Sequence, residues 1–198
     1  TLTNTPLPST PEPIPNSAKI ENISGKNQLY SLSCEASSAV DLAAYYGVFF
    51  HEVEFQERLP ISDDPEEGFV GHYNGLPGQI PPNSYGVHAQ PVADLLNEFG
   101  LNVFSEKGLS LKEIKREIAS GDPVMVWVIG QVQTGYPITY TASNSNQSEV
   151  AAHEHTVLVI GYDENNIYIL DGNNYYKRSI DQFLISWGVL DNMGIVVK

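Results

Sequence analysis

The 198-residue sequence holds a single cysteine and only ten cationic side chains, and no apolar run reaches the roughly 18 residues that cross a bilayer. Each scarcity excludes something. One thiol rules out an internal disulfide and a multi-cysteine zinc cage. Ten Lys and Arg against 24 Asp and Glu give a net charge of −14. Nucleic-acid binding needs clustered cations that displace counterions, so no nucleic-acid partner is expected, nor an anionic membrane surface. The acidity reads as a well-solvated exterior.

The opening residues, TLTNTPLPSTPEPIPNSAKI, lack the apolar core of a signal peptide and carry five prolines in their first 15 positions. A Thr/Pro/Ser tract of this kind buries too little surface to fold. Residues 1–19 are therefore expected to form a semi-extended tether, and residues 20–198 one domain. Such tethers hold domains away from a cell envelope. An extracellular or envelope location, with any export signal already removed, is the matching expectation.

Four helices are legible. From Cys34 to Tyr46 the small residues Ala36, Ala39, Val40, Ala43 and Ala44 recur near helical spacing, and Gly47 supplies a stop. QPVADLLNEFG places Val92, Leu95, Leu96 and Phe99 on one face. SLKEIKREIASG and SIDQFLISWG each begin with capping-box spacing, Ser110 with Glu113 and Ser179 with Gln182. The second half turns to strands: PVMVWVIG (123–130) and HTVLVIGYD (155–163) are β-branched apolar runs suited to a sheet centre. NIYIL (166–170) follows the turn DENN as a hairpin partner, with YYKRS and MGIVVK as weaker strands. Helices first and antiparallel strands afterwards predict an α+β fold. Residues 56–87 and 131–152, rich in Gly, Pro, Asn and Ser, are expected as long loops framing a cleft.

The lone thiol sits where that pattern makes it interesting. With Ser31 or Ser33 as N-cap, Cys34 occupies the first helical turn, where unpaired N–H groups and the helix dipole favour a thiolate. Glu35 would oppose this if it turned inward, and is expected to point away. Thiol chemistry on an amide also needs a base, a group that orients the base, and oxyanion donors. His155 opens a buried strand, with His153 two residues earlier as second candidate base, whereas His51, His72 and His88 read as loop or surface residues. Asp171 closes the hairpin partner of the His155 strand and is placed to orient that imidazole. Gln28, six residues ahead of the thiol, is a candidate oxyanion donor together with the Cys34 backbone N–H.

The ordered set Gln28, Cys34, His155 and Asp171 resembles the papain-like cysteine peptidases. More narrowly, QLYSLSCEASSAVDLAAYYGV, GFVGHYNG, SYGVHAQPVADLLNEFG, GDPVMVWV and EHTVLVIGYDENNIYILDG resemble the stand-alone, C39-like relatives of bacteriocin leader peptidases. The resemblance spans residue 20 to near the end. It implies a papain-like fold in which an N-terminal helix carries the nucleophile and packs on an antiparallel sheet carrying His and Asp. It implies thiol-dependent hydrolysis of a peptide or protein substrate through an acyl-enzyme, with no cofactor and no metal. Glu35 stands where leader peptidases usually have glycine, although stand-alone relatives tolerate glutamate there. Two other readings remain: a papain-fold binding module without turnover, and a metal site built from His153, His155 and Cys34.

Overall fold

The computed structural model describes residues 13–198; residues 1–12, most of the expected tether, lie outside the described residues. The chain runs β1 (Ala18–Lys19), α1 (Cys34–Tyr45), α2 (Glu52–Arg58), α3 (Ala89–Glu98), β2 (Val103–Glu106), α4 (Leu111–Ser120), β3 (Val124–Ile129), β4 (Ile138–Thr141), β5 (Gln147–Val150), β6 (Glu154–Tyr162), β7 (Asn166–Asp171), β8 (Asn174–Ser179), α5 (Ile180–Gly188) and β9 (Gly194–Val197). Most strands form one antiparallel sheet in the order β2-β9-β3-β6-β7-β8, and β1 pairs with the end of β6. The fold is thus α+β, with the thiol at the start of α1 and the His and Asp on adjacent strands.

All six residues of β3 are buried, as a strand covered on both faces must be. Its β-branched run therefore places it at the sheet centre beside β6. Helix α4 begins as its sequence requires. The Ser110 side chain accepts from the Glu113 N–H while the Glu113 carboxylate accepts from the Ser110 N–H, and Gly121 closes the helix at φ 95°; both devices satisfy orphan helix-end groups. At α5, Ser179 likewise accepts from the Gln182 N–H. The Gln182 amide, however, leaves the cap and donates to the Val132 carbonyl at 2.9 Å.

Three features escape the sequence pattern. Helix α2 is seven residues with a buried Phe55 and a largely charged remainder, too short for helical periodicity to show. Strand β2 pairs only with β9, at the sheet edge. Residues expected as one long loop contain the hairpin β4–β5, a separate two-stranded sheet. That hairpin is latched to the segment after α2. Asp63 accepts from the Ser143 N–H and Oγ at 2.8 and 2.9 Å, and fully buried Asp64 accepts from the Asn144 and Asn146 amides at 2.8 and 3.0 Å.

Segment 85–88 crosses the core between α1 and β3. Trp127 of β3, fully buried, donates its indole N–H to the Val87 carbonyl at 2.9 Å, and the Val87 N–H donates to Glu35 Oε1 of α1 at 2.6 Å. Trp127→Phe orphans that buried carbonyl and leaves a small void. We expect a loss of about 2 kcal/mol, read as a lowered denaturant midpoint at unchanged m-value.

Candidate active site

Helix α1 reaches the sheet through small residues. Ala36, Ala39 and Ala43 are fully buried, and the short side chains let the helix axis come close to β6. Ser38, one turn after the thiol, meets Thr156 on β6 through its hydroxyl, 3.3 Å from the Thr156 carbonyl and 3.1 Å from its Oγ1. That contact holds the first turn of α1 against the start of β6, and Cys34 and His155 line the same two cavities there.

His155 Nε2 lies 2.8 Å from Asp171 Oδ1. Antiparallel pairing of β6 with β7 brings the end of β7 back to the start of β6, so the two residues meet across the hairpin. Asp171 Oδ2 accepts from the Tyr176 hydroxyl at 3.0 Å. Burial alone would raise the Asp171 carboxyl; the hydrogen bond and charge of His155, with the Tyr176 bond, hold it below its ordinary value. An ionised Asp171 accepts from Nε2–H, which leaves Nδ1 as the nitrogen free to take a proton.

A cavity of about 360 Å³ is lined by Gln28, Cys34, Ser38, His155, Thr156 and Asp171 among others. A second, of about 160 Å³, is lined by Gln28, Cys34 and His155 together with Pro77, Gly78, Tyr85 and His153. The structure therefore brings Gln28, Cys34 and His155 to the border of two cavities, with Asp171 on the wall of the larger one. The loop 56–87 contributes a wall of the smaller one, while of residues 131–152 only Gln131 faces the larger. The Gln28 amide is held by a bond from Nε2 to the Tyr30 carbonyl at 2.7 Å, which occupies one of its two N–H donors. Ser33 stands at the N-cap but makes no side-chain cap bond, because its hydroxyl bonds the Glu52 carboxylate instead. The first-turn N–H groups are left uncapped by that side chain, beside the sulfur.

Two expectations are overturned. Glu35 does not point away; it is fully buried, with Oε2 3.2 Å from the Cys34 sulfur and Oε1 on the Val87 N–H. The N–H of segment 85–88, invisible from local sequence, draws it inward. Burial first, then the charges of Glu35 and Glu154, push the Cys34 thiol well above its usual value, which keeps it protonated at neutral pH. The histidines also sort differently. His88 is fully buried, its ring between Glu66 and the Tyr85 hydroxyl, whereas His51 and His72 are exposed. His153 sits at φ 61° against Gly78, whose absent Cβ would fall 2.4 Å from the ring. Among the described residues neither His153 nor His155 joins Cys34 in a metal-ligand cluster; Glu35 and Glu154 do.

Sequence reasoning missed Tyr176, Glu154 and Asp41. Tyr176 lies opposite Ile169 in the β7–β8 register, and the alternation of β8 was the available signal. Asp41, on the same helix as the thiol, accepts from the Lys26 N–H with both oxygens at 3.2 Å and so anchors the segment leading to Gln28. Burial pushes its carboxyl up to about 7, the Lys26 bonds opposing and the Glu52 charge adding.

The architecture, with a thiol heading a helix and a His–Asp pair on the sheet, is that of the papain-like cysteine peptidases. Residues 20–195 match the Peptidase_C39 like family, and the chain belongs to it. A putative C39-like peptidase from Bacillus anthracis superposes with a TM-score of 0.80 at 21% identity, over 92% of this chain and 97% of that one. The Carica candamarcensis cysteine protease CMS1MS2 gives 0.54 at 14% identity, over 93% and 99%. The uncharacterized protein YvpB of Bacillus subtilis (strain 168) is 29% identical over 143 residues, 70% of this chain and 54% of that protein. The chain thus spans about half the length of that relative.

The Asp41 shift carries a sign. Its folded value lies above the unfolded one, so the folded state holds the proton more tightly; stability falls as pH rises from about 4 to about 7, and the cost is complete above that. Asp41→Asn keeps an acceptor for Lys26 without the charge. We expect it to gain about 2 kcal/mol over the native protein near pH 8, with the difference vanishing below about pH 4, measured by denaturant unfolding across that range.

Proposed function

We propose that the protein is a cysteine peptidase that hydrolyses a peptide or protein amide bond through an acyl-enzyme. The observation that carries this is the shared border of the two cavities, where an uncapped helix start presents Cys34 beside the His155–Asp171 pair. His155 Nδ1 takes the Sγ proton as the sulfur bonds the carbonyl carbon. The carbonyl oxygen, now an oxyanion, receives the second Gln28 N–H and the Cys34 backbone N–H. The C–N bond breaks, and the imidazolium returns its proton to the leaving amine. Water then gives one proton to Nδ1 and attacks the thioester; the C–S bond breaks, and Cys34 recovers its proton. Asp171 keeps Nε2 protonated throughout, and Tyr176 steadies Asp171. The substrate is an extended chain that runs from one cavity to the other past the sulfur.

A papain-fold binding module without turnover is favoured by one observation: a buried thiol donating to Glu35, which lowers its nucleophilicity at neutral pH. Two measurements separate the readings. Cys34→Ala should abolish both cleavage of a peptide library and labelling by iodoacetamide, while retaining native circular dichroism. Gln28→Ala should lower kcat by about 100-fold and leave labelling intact. Cleavage that survives in the alanine variant of Cys34 overturns the peptidase assignment. A native protein that neither cleaves nor labels supports the module.

A further inference from the structure

Beside the Cys34 sulfur lie two carboxylates that the proposed mechanism does not use. The Cys34 sulfur and one carboxylate oxygen from each of Glu35 and Glu154 lie within 4.8 Å of one another. The cluster joins the residue after the thiol to the residue before the histidine, so helix and sheet each send one carboxylate inward. Both converge on Gly86, where a Cβ would fall 2.3 Å from Glu35 Oε1 and 2.8 Å from Glu154 Oε2. Gly86 also sits at φ 143°, outside the range of ordinary side-chain-bearing residues. The chain passes behind the two acids only because it carries no side chain there.

Drawing two carboxylates together out of water is costly unless they are paired. Glu35 Oε1 has the Val87 N–H, and Oε2 the thiol. Glu154 Oε1 is buried and has no hydrogen-bond partner, an orphaned acceptor in the cluster.

We propose that Cys34, Glu35 and Glu154 form a binding site for a thiophilic divalent cation of the zinc class. One thiolate and two carboxylates suit Zn²⁺ in kind and number, with a fourth position open. Tetrahedral zinc, with bonds of about 2.3 Å to sulfur and about 2.0 Å to oxygen, needs ligand atoms about 3.5 Å apart. Cys34 and Glu35 already meet this at 3.2 Å, and Glu154 closes the remainder by a side-chain rotation. Val87 fixes Glu35 from outside the ligand set, as metal ligands require, and the cavity of about 160 Å³ that Cys34 and Glu154 both line is the entry path. Binding releases the thiol proton and any carboxyl proton to solvent and forms the sulfur–metal bond; no electrons change hands. On the peptidase reading, the bound cation occupies the nucleophile and holds the enzyme off until a chelator removes it.

The test uses the chelator-stripped chain titrated with cobalt and with zinc. Cobalt should give a thiolate-to-metal charge-transfer band saturating at one equivalent, which surface histidines and carboxylates cannot produce. The band should vanish in Cys34→Ala. Glu35→Gln, which keeps an acceptor for the Val87 N–H, and Glu154→Gln should each weaken zinc by at least about 10-fold, the lower end of what even outer-shell partners cost. Zinc should also slow iodoacetamide labelling of Cys34 in the native protein and much less in Glu154→Gln. No band, or equal zinc affinity in native and glutamine variants, overturns the site. These readouts need no turnover: a band, with no peptide cleavage by the chelator-stripped chain, supports the site and removes the peptidase, whereas cleavage unaffected by zinc removes the site alone.

Discussion

The hydroxyl contact between Ser38 on α1 and Thr156 on β6 sets the register of everything chemical in this fold. A helix packed on a sheet through alanines is free to slide, because small apolar side chains make few directional contacts. A buried hydrogen bond removes that freedom, since breaking it orphans both partners. One turn before Ser38 is Cys34 and one residue before Thr156 is His155, so the pin that orders two hydroxyls also holds the thiol-bearing turn level with the start of β6, where both residues line the same two cavities. Asp41, a further turn along, extends the control to the segment that carries Gln28. Nucleophile, base and oxyanion donor are thus all referred to one helix.

The same packing produces the unusual acidity at the site. The residue after Cys34 and the residue before His155 are both glutamates, and their carboxylates converge beside the sulfur. Trp127, Val87 and Glu35 form a chain of hydrogen bonds from the centre of the sheet to the first turn of the helix. Glu35 therefore anchors the backbone and, after burial itself, adds to what keeps the thiol protonated. A chain with −14 net charge does not keep all of its acids at the surface: Glu35, Asp41 and Asp64 are buried, each satisfied by backbone or amide donors.

Much of this was legible beforehand, for identifiable reasons. The helical spacing of α3 and α4, the capping box at Ser110 and the β-branched runs of β3 and β6 are local signals whose tertiary environment agrees with them. The His155–Asp171 encounter followed from hairpin geometry alone. Glu35 was misplaced because its fate depends on an N–H 52 positions away, and His88 because its burial depends on Glu66 and Tyr85 in the preceding irregular segment. Helix α2 and hairpin β4–β5 escaped for a different reason: short elements with exposed faces carry too little apolar pattern to register.

The Asp63–Asp64 latch has a mechanical consequence. Four hydrogen bonds tie Ser143, Asn144 and Asn146 to a segment that also leads into the Pro77–Gly78 wall of the smaller cavity. The hairpin and the segment after α2 are bolted together, so displacing either one breaks polar contacts of the other, and the two are expected to shift as one panel rather than as separate flaps.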